Sequence, residues 1–193
     1  MGKEHSKPRS VDPRAGRTCQ RLGQALVTLI GEKPIDAITV QEVLDRARVG
    51  RSTFYVHYRD KNDLLFSQLA HFLELMSTDL STRKEASRRV VAVREIFEHI
   101  GGQNRMYQAL AASGQLPDFY DLAQDAFARG IARRLREMGA ASGVSRAELS
   151  LRATALAGSL LALLRWWIEH GAKESPQAMD RMFHRVVWGE DRE

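Results

Sequence analysis

Apolar positions along the chain recur at helical spacing almost from one end to the other. Leu22, Leu26, Leu29 and Ile30 lay one stripe along a helix over residues 18–30, closed by Gly31 and the turn at Pro34. Thr39-Val40-Gln41-Glu42 has the capping-box form, in which a threonine hydroxyl and a glutamate satisfy each other's unpaired backbone donors, so a short helix follows over 40–47. Arg48-Val49-Gly50 interrupts the pattern before a second short amphipathic stretch over 51–58. Asp60-Lys61-Asn62-Asp63 opens a longer helix with Leu64, Leu65, Leu69, Phe72, Leu73 and Met76 on its apolar side. Further helices are predicted over 87–100, 105–112, 117–138, 146–170 and 176–188. Gly101-Gly102, Ser113-Gly114, the stretch 139–143 and Gly171 separate them. No alternation of the β type and no repeat interrupts the series, which predicts an all-α chain.

Two short helices joined by a three- or four-residue turn form the arrangement that lays the second of them in the major groove of DNA. Phe54 and Tyr58 are four apart and face the small core. Ser52, Tyr55, Val56 and Arg59 are left on the outward side. Residues 1–15 carry Gly2, Pro8, Pro13 and many charges without apolar periodicity, and are expected to form a flexible basic arm. The expected organisation is therefore this arm, a three-helix helix-turn-helix DNA-binding domain over 16–66, and a helical bundle over 67–193.

Composition and motif content sharpen the picture further. Residues 1–66 hold 12 Lys and Arg against 8 Asp and Glu, whereas the rest hold 17 against 16, so the positive excess lies on the part expected to meet a polyanion. The single cysteine, Cys19, rules out an intrachain disulfide and points to a reducing cytoplasm. The start is polar and basic where a secretory leader needs an apolar run. The uncharged run over 153–164 falls short of the roughly 18 residues a membrane span needs, and is expected to be a buried helix. His71, His99, His170 and His184 have no zinc-ligand spacing, and no phosphate loop, dinucleotide fingerprint or nucleophile elbow occurs, so neither a metal, nor a cofactor, nor an enzyme is expected.

The block Ile38-Thr39-Val40, followed by Arg51-Ser52-Thr53-Phe54-Tyr55-Val56-His57-Tyr58-Arg59-Asp60-Lys61-Asn62-Asp63-Leu64-Leu65, closely resembles the DNA-binding domain of the TetR family. The resemblance covers about residues 18–69. It implies that Thr39 caps the second helix beside the DNA backbone, that Tyr55, His57 and Lys61 touch phosphates, and that Gln41, Arg51, Ser52, Thr53 and Val56 read base edges. The chemistry suits these roles: lysine and tyrosine donate to phosphate oxygens, helix N-termini present amides to anions, arginine matches guanine and glutamine matches adenine. Arg48 stands where the family often has glycine and Gly50 where it often has serine.

The second half resembles sensing domains of one TetR subgroup, around residues 104–107, 119–135 and the tryptophans Trp166, Trp167 and Trp188. The resemblance implies a homodimer joined through the last two helices, with Ala153, Ala157, Gly158, Ala162, Met179 and Phe183 at the contact. It also implies a small organic effector bordered by some of Phe97, His99, Tyr107, Phe119, Tyr120 and Phe127, although aromatics at this spacing more often serve as core. The expected function is a repressor that occupies a roughly palindromic operator in double-stranded DNA and is released by that effector. A TetR-like coactivator or adaptor acting through a protein partner is the alternative.

Overall fold

The chain folds into nine helices and one 3-10 turn within residues 13–102 and 104–189, the part described by this computed structural model. The arm expected at residues 1–15 lies outside the described residues as far as position 12. Contacts group the chain into two units, the first ending at Leu65 and the second beginning at Phe66.

In the first unit α1 (Pro13–Ile30) starts five residues earlier than the helix expected from residue 18. A proline at the first helical position costs no hydrogen bond there, and its fixed φ suits the helix. Leu22, Ala25, Leu26, Leu29 and Ile30 are buried. They close over α2 (Val40–Ala47) and α3 (Arg51–His57), which contribute Val43, Leu44, Ala47 and Phe54. A 3-10 turn at Ile35–Ala37 carries Ile35 inward, and Ile38 follows it. α4 (Lys61–Thr82) contributes Leu64 and Leu65 to this unit and continues into the second. Each leucine, isoleucine, valine or phenylalanine among them contributes about 1.5–3 kcal/mol on leaving water.

The second unit holds the rest of α4 with α5 (Val93–Gly102), α6 (Asn104–Ala112), α7 (Leu116–Glu137), α8 (Arg146–Glu169) and α9 (Pro176–Trp188). α7 lies along α8, and α5 lies along α9. α8 is long and apolar enough by length and composition to cross a membrane, although Leu149, Ala153, Ala157, Leu160, Leu161, Leu164 and Trp167 are turned into the protein. The helix expected from residue 87 begins only at Val93, because the preceding segment finds other partners for its backbone. Arg134, only 6% exposed, donates from its guanidinium to the carbonyls of Glu85, Ser87 and Arg89, the last two at 3.1 Å. The Val90 N–H donates to His184 Nε2 at 3.0 Å. With its polar groups satisfied this way, the segment can bury Val90, Val91 and Ala92 without a helical ladder. Arg89 bonds Glu95 and Asp180, tying the segment to α5 and α9. Burial pushes the Glu95 carboxyl upward, but bonds from Arg89 and Arg83 outweigh it and bring the group down to about 2.

α7 meets α4 at a point where only glycine fits. A Cβ on Gly130 would stand 2.3 Å from the Ser77 carbonyl oxygen and 2.8 Å from its Cβ. Gly130→Ala is expected to lower the urea midpoint of unfolding by an amount corresponding to about 1–3 kcal/mol. Gly16→Ala, where nothing stands within 4 Å, should leave stability unchanged or raise it by up to about 1 kcal/mol. Equal stabilities for the two variants would show that α4 and α7 separate at no cost.

Candidate nucleic-acid interface

The interface is built on the turn between α2 and α3. Thr39 begins α2 with a complete capping box: its hydroxyl oxygen accepts from the Glu42 N–H at 3.2 Å, and Glu42 Oε2 accepts from the Thr39 N–H at 2.9 Å. Lys33 also bonds the Glu42 carboxylate. The Lys33 bond first, then the two Thr39 bonds, hold this carboxyl at about 2, well below its ordinary 4.5. The Thr39 hydroxyl in turn donates to Glu42 Oε2 at 2.9 Å, so its proton is already committed.

At the other end of α2 the backbone turns left-handed at Arg48, with φ 52° and ψ 49°. The Val49 N–H reaches back to the Leu44 carbonyl at 3.1 Å and the Arg48 N–H to Asp45 at 3.2 Å, the pairing of a Schellman stop. Arg21, reaching across from α1, donates to the carbonyls of Ala47 and Arg48, the latter at 2.9 Å. One arginine thus closes the helix end and holds the turn. Gly50 then begins α3 in extended backbone with no side-chain cap.

This turn orients α3. Phe54 is fully buried and Tyr58 nearly so, their rings 5.7 Å apart. The opposite side carries Arg51, Ser52 and Thr53, all exposed, with Tyr55 at 51% and Val56 at 78% exposure. The Arg51 guanidinium lies 6.0 Å from the Tyr55 ring centroid and has no ion pair among the described residues. His57 is half-buried. Gln41 is exposed on α2, with its amide donating to Asp45 at 2.8 Å. A valine and a tyrosine held open to water beside uncommitted hydroxyl and guanidinium groups form a surface suited to thymine methyls, phosphates and guanine edges.

Lys61, expected at the phosphates, has partners within the chain. Its ammonium donates to the carbonyls of Ile35 at 2.6 Å, Ile38 at 2.8 Å and Asp36 at 3.2 Å. All three of its donors are thereby engaged, and the residue pins the start of α4 to the 3-10 turn. Neither Arg21 nor this role of Lys61 is visible in local sequence, because the partners lie 23 to 27 residues away.

The residues expected to line an effector cavity fall into separate settings. Phe97, Phe119 and Phe127 are buried core, with Phe97 packed 5.0 Å from Trp167. His99 stacks on Phe72 at 4.4 Å, and the accompanying loss of water lowers its pKa. Tyr107 and Tyr120 share a hydroxyl contact at 3.0 Å; burial, then this bond, raises the Tyr107 pKa. Tyr120 also borders a groove of about 400 Å3 with Gln124, Gly158, Leu161, Ala162 and Arg165. Among the expected dimer contacts, Ala153, Ala157, Met179 and Phe183 are buried inside the protomer, Gly158 is half-buried and Ala162 is exposed. Leu151, Trp166, Met182 and Val186 are the large apolar side chains that α8 and α9 leave open. No group of three or more metal-binding side chains gathers among the described residues.

Residues 24–67 match the family described as bacterial regulatory proteins of the tetR family, and residues 92–189 match a transcriptional regulator C-terminal region. The chain belongs to the TetR family of DNA-binding transcriptional regulators. It is 35% identical over 63 residues to the uncharacterized HTH-type transcriptional regulator YxbF of Bacillus subtilis, covering 32% of this chain and 17% of that protein. It is 28% identical over 82 residues to the transposon Tn10 TetC protein of Escherichia coli, covering 42% of each. The chain thus matches less than half the length of either curated relative. The fatty acid degradation regulator FadR from Bacillus halodurans has the same fold, with a TM-score of 0.63, 15% identity and coverage of 95% of this chain and 99% of that one.

Two substitutions test the architecture of the interface. Arg48→Gly should stabilise the chain by about 1 kcal/mol in thermal or urea unfolding, since glycine adopts the left-handed region without the Cβ clash. A loss of stability would mean that the arginine side chain contributes more than its backbone conformation costs. Lys61→Ala should destabilise the chain by about 1.5–3 kcal/mol through the loss of charge-assisted bonds to the carbonyls. The salt slope of DNA binding should stay unchanged. A slope reduced by about one unit with unaltered stability would return Lys61 to the phosphate contacts.

Proposed function

We propose that the protein acts in the cytoplasm as a homodimeric repressor, that α3 of each protomer reads one half of a roughly palindromic operator, and that a small organic effector releases it. The observation that carries the DNA reading is the division of α3 between two faces: Phe54 anchors it within the first unit while Tyr55 and Val56 stand open to solvent. Arg51, at the start of that helix and without an ion pair among the described residues, is the guanine reader in this account. Ser52, Thr53 and Gln41 are its polar neighbours at the bases, and Tyr55 and His57 serve the phosphates.

Dimerisation follows from the apolar surface left on the last two helices. Leu151 and Val186 are 71% and 67% exposed, and Trp166 and Met182 accompany them, with Gly158 and Ala162 allowing close helix approach. A two-fold axis through this surface gives equivalent recognition helices and therefore an inverted repeat. The effector part of the proposal is supported by Tyr107 and Tyr120, whose hydroxyls lie 3.0 Å apart, and by the groove in which Tyr120 stands with Leu161, Ala162 and Arg165.

Selection of bound fragments from random duplex DNA tests the proposal. The expected result is an enriched inverted repeat whose half-sites are spaced by about one helical turn or a multiple of it. Arg51→Ala is expected to lose discrimination at one position per half-site, worth about 1–3 kcal/mol. Enrichment of no repeat, or identical base profiles for variant and parent, would contradict it.

A further inference from the structure

A second groove, of about 360 Å3, lies in the second unit between the segment at Arg88 and Arg89 and one side of α9. Its lining is unusual in charge. Arg89 is neutralised by Glu95 and Asp180, each within 3.2 Å. Arg88, Arg181 and Arg185 have no carboxylate partner among the described residues. Arg181 and Arg185 are also one helical turn apart, a spacing at which like charges destabilise a helix.

The groove is held in shape by contacts that involve none of the unneutralised charges on α9. The Trp188 indole N–H donates to the Arg88 carbonyl at 2.9 Å, and the Arg88 guanidinium lies 4.9 Å from the Trp188 ring centroid. Arg152 approaches the same ring at 5.8 Å. His184 has both ring nitrogens engaged, Nε2 accepting from the Val90 N–H and Nδ1 donating to the Asp180 carbonyl at 2.9 Å. Those bonds require the neutral ring, so His184 adds no charge to the lining.

We propose that this groove is a binding site for a small, multiply charged oxyanion of the diphosphate or polycarboxylate kind, held by Arg88, Arg181 and Arg185. Guanidinium groups match such oxygens with paired N–H donors, and a compact anion relieves the mutual repulsion of the arginines. The groove's size lies at the lower end of the range for small-ligand sites, which suits a compact ligand better than a polymer. Bridging the Arg88 segment to α9 would also strengthen the docking of that helix. This site is separate from the DNA-reading face and does not depend on it.

Calorimetric titration of the full-length chain with pyrophosphate, at ionic strength matched with sodium chloride, tests the proposal. Saturable binding of one pyrophosphate per chain is expected. Arg181→Gln and Arg185→Gln should each weaken it by about ten- to hundredfold, the worth of a hydrogen bond to a charged group. Both side chains are exposed, so thermal melting of the variants should match the parent. Arg51→Gln, in the DNA-reading face, should bind pyrophosphate as the parent does. Absence of saturation at millimolar pyrophosphate, unchanged affinity in the double variant, or loss of binding in Arg51→Gln would overturn the proposal.

Discussion

The face proposed to read DNA depends on a backbone turn that one arginine holds from outside. α2 ends at Ala47, the chain turns left-handed at Arg48, and Arg21 donates to the carbonyls of both residues. Without that closure the last carbonyls of α2 would need other partners, and α3 would lose the angle at which Phe54 enters the core. Lys61 does the equivalent work on the other side, holding the start of α4 to the carbonyls of residues 35, 36 and 38. Two cations are thus spent on carbonyl groups. The positive charge left for a polyanion comes from side chains such as Arg51, which the turn sets outward.

The second unit applies the same economy at greater depth. Arg134 is buried and gives its guanidinium to a non-helical segment, and that segment brings Arg89 to Glu95 and Asp180. A charge buried in this way is tolerable because hydrogen bonds satisfy it, and removing its partners would leave it stranded. Gly130 lets α7 approach α4 at Ser77 more closely than any side chain would permit.

Much of this was legible in the sequence wherever a single element carried its own signal. The Thr39–Glu42 capping box, the apolar stripe of α1 and the opposed faces of α3 all follow from spacing within one turn or two, and the helices over 40–47 and 176–188 have the expected bounds. The segment over 87–92 misled because its apolar residues also fit a helix; the partners that hold it open, Arg134 and His184, lie more than 40 residues away. Small and apolar residues on α8 and α9 proved equally ambiguous. Ala153, Ala157, Met179 and Phe183 have the composition of a contact surface, yet they fill the protomer's own core, and Leu151, Trp166, Met182 and Val186 are the side chains turned outward. Which side of an apolar helix faces its neighbours is decided by packing, and periodicity alone does not record it.

In the proposed complex the outward side of α3 enters the major groove and touches base edges there. Methylation protection on a selected duplex tests it directly, because dimethyl sulfate attacks guanine N7 in the major groove and adenine N3 in the minor groove. Protection of guanine N7 is expected in two symmetric patches on one face of the duplex, with adenine N3 unaffected beneath them. Unprotected guanines throughout a site that the protein still occupies, or protection confined to adenine N3, would contradict it.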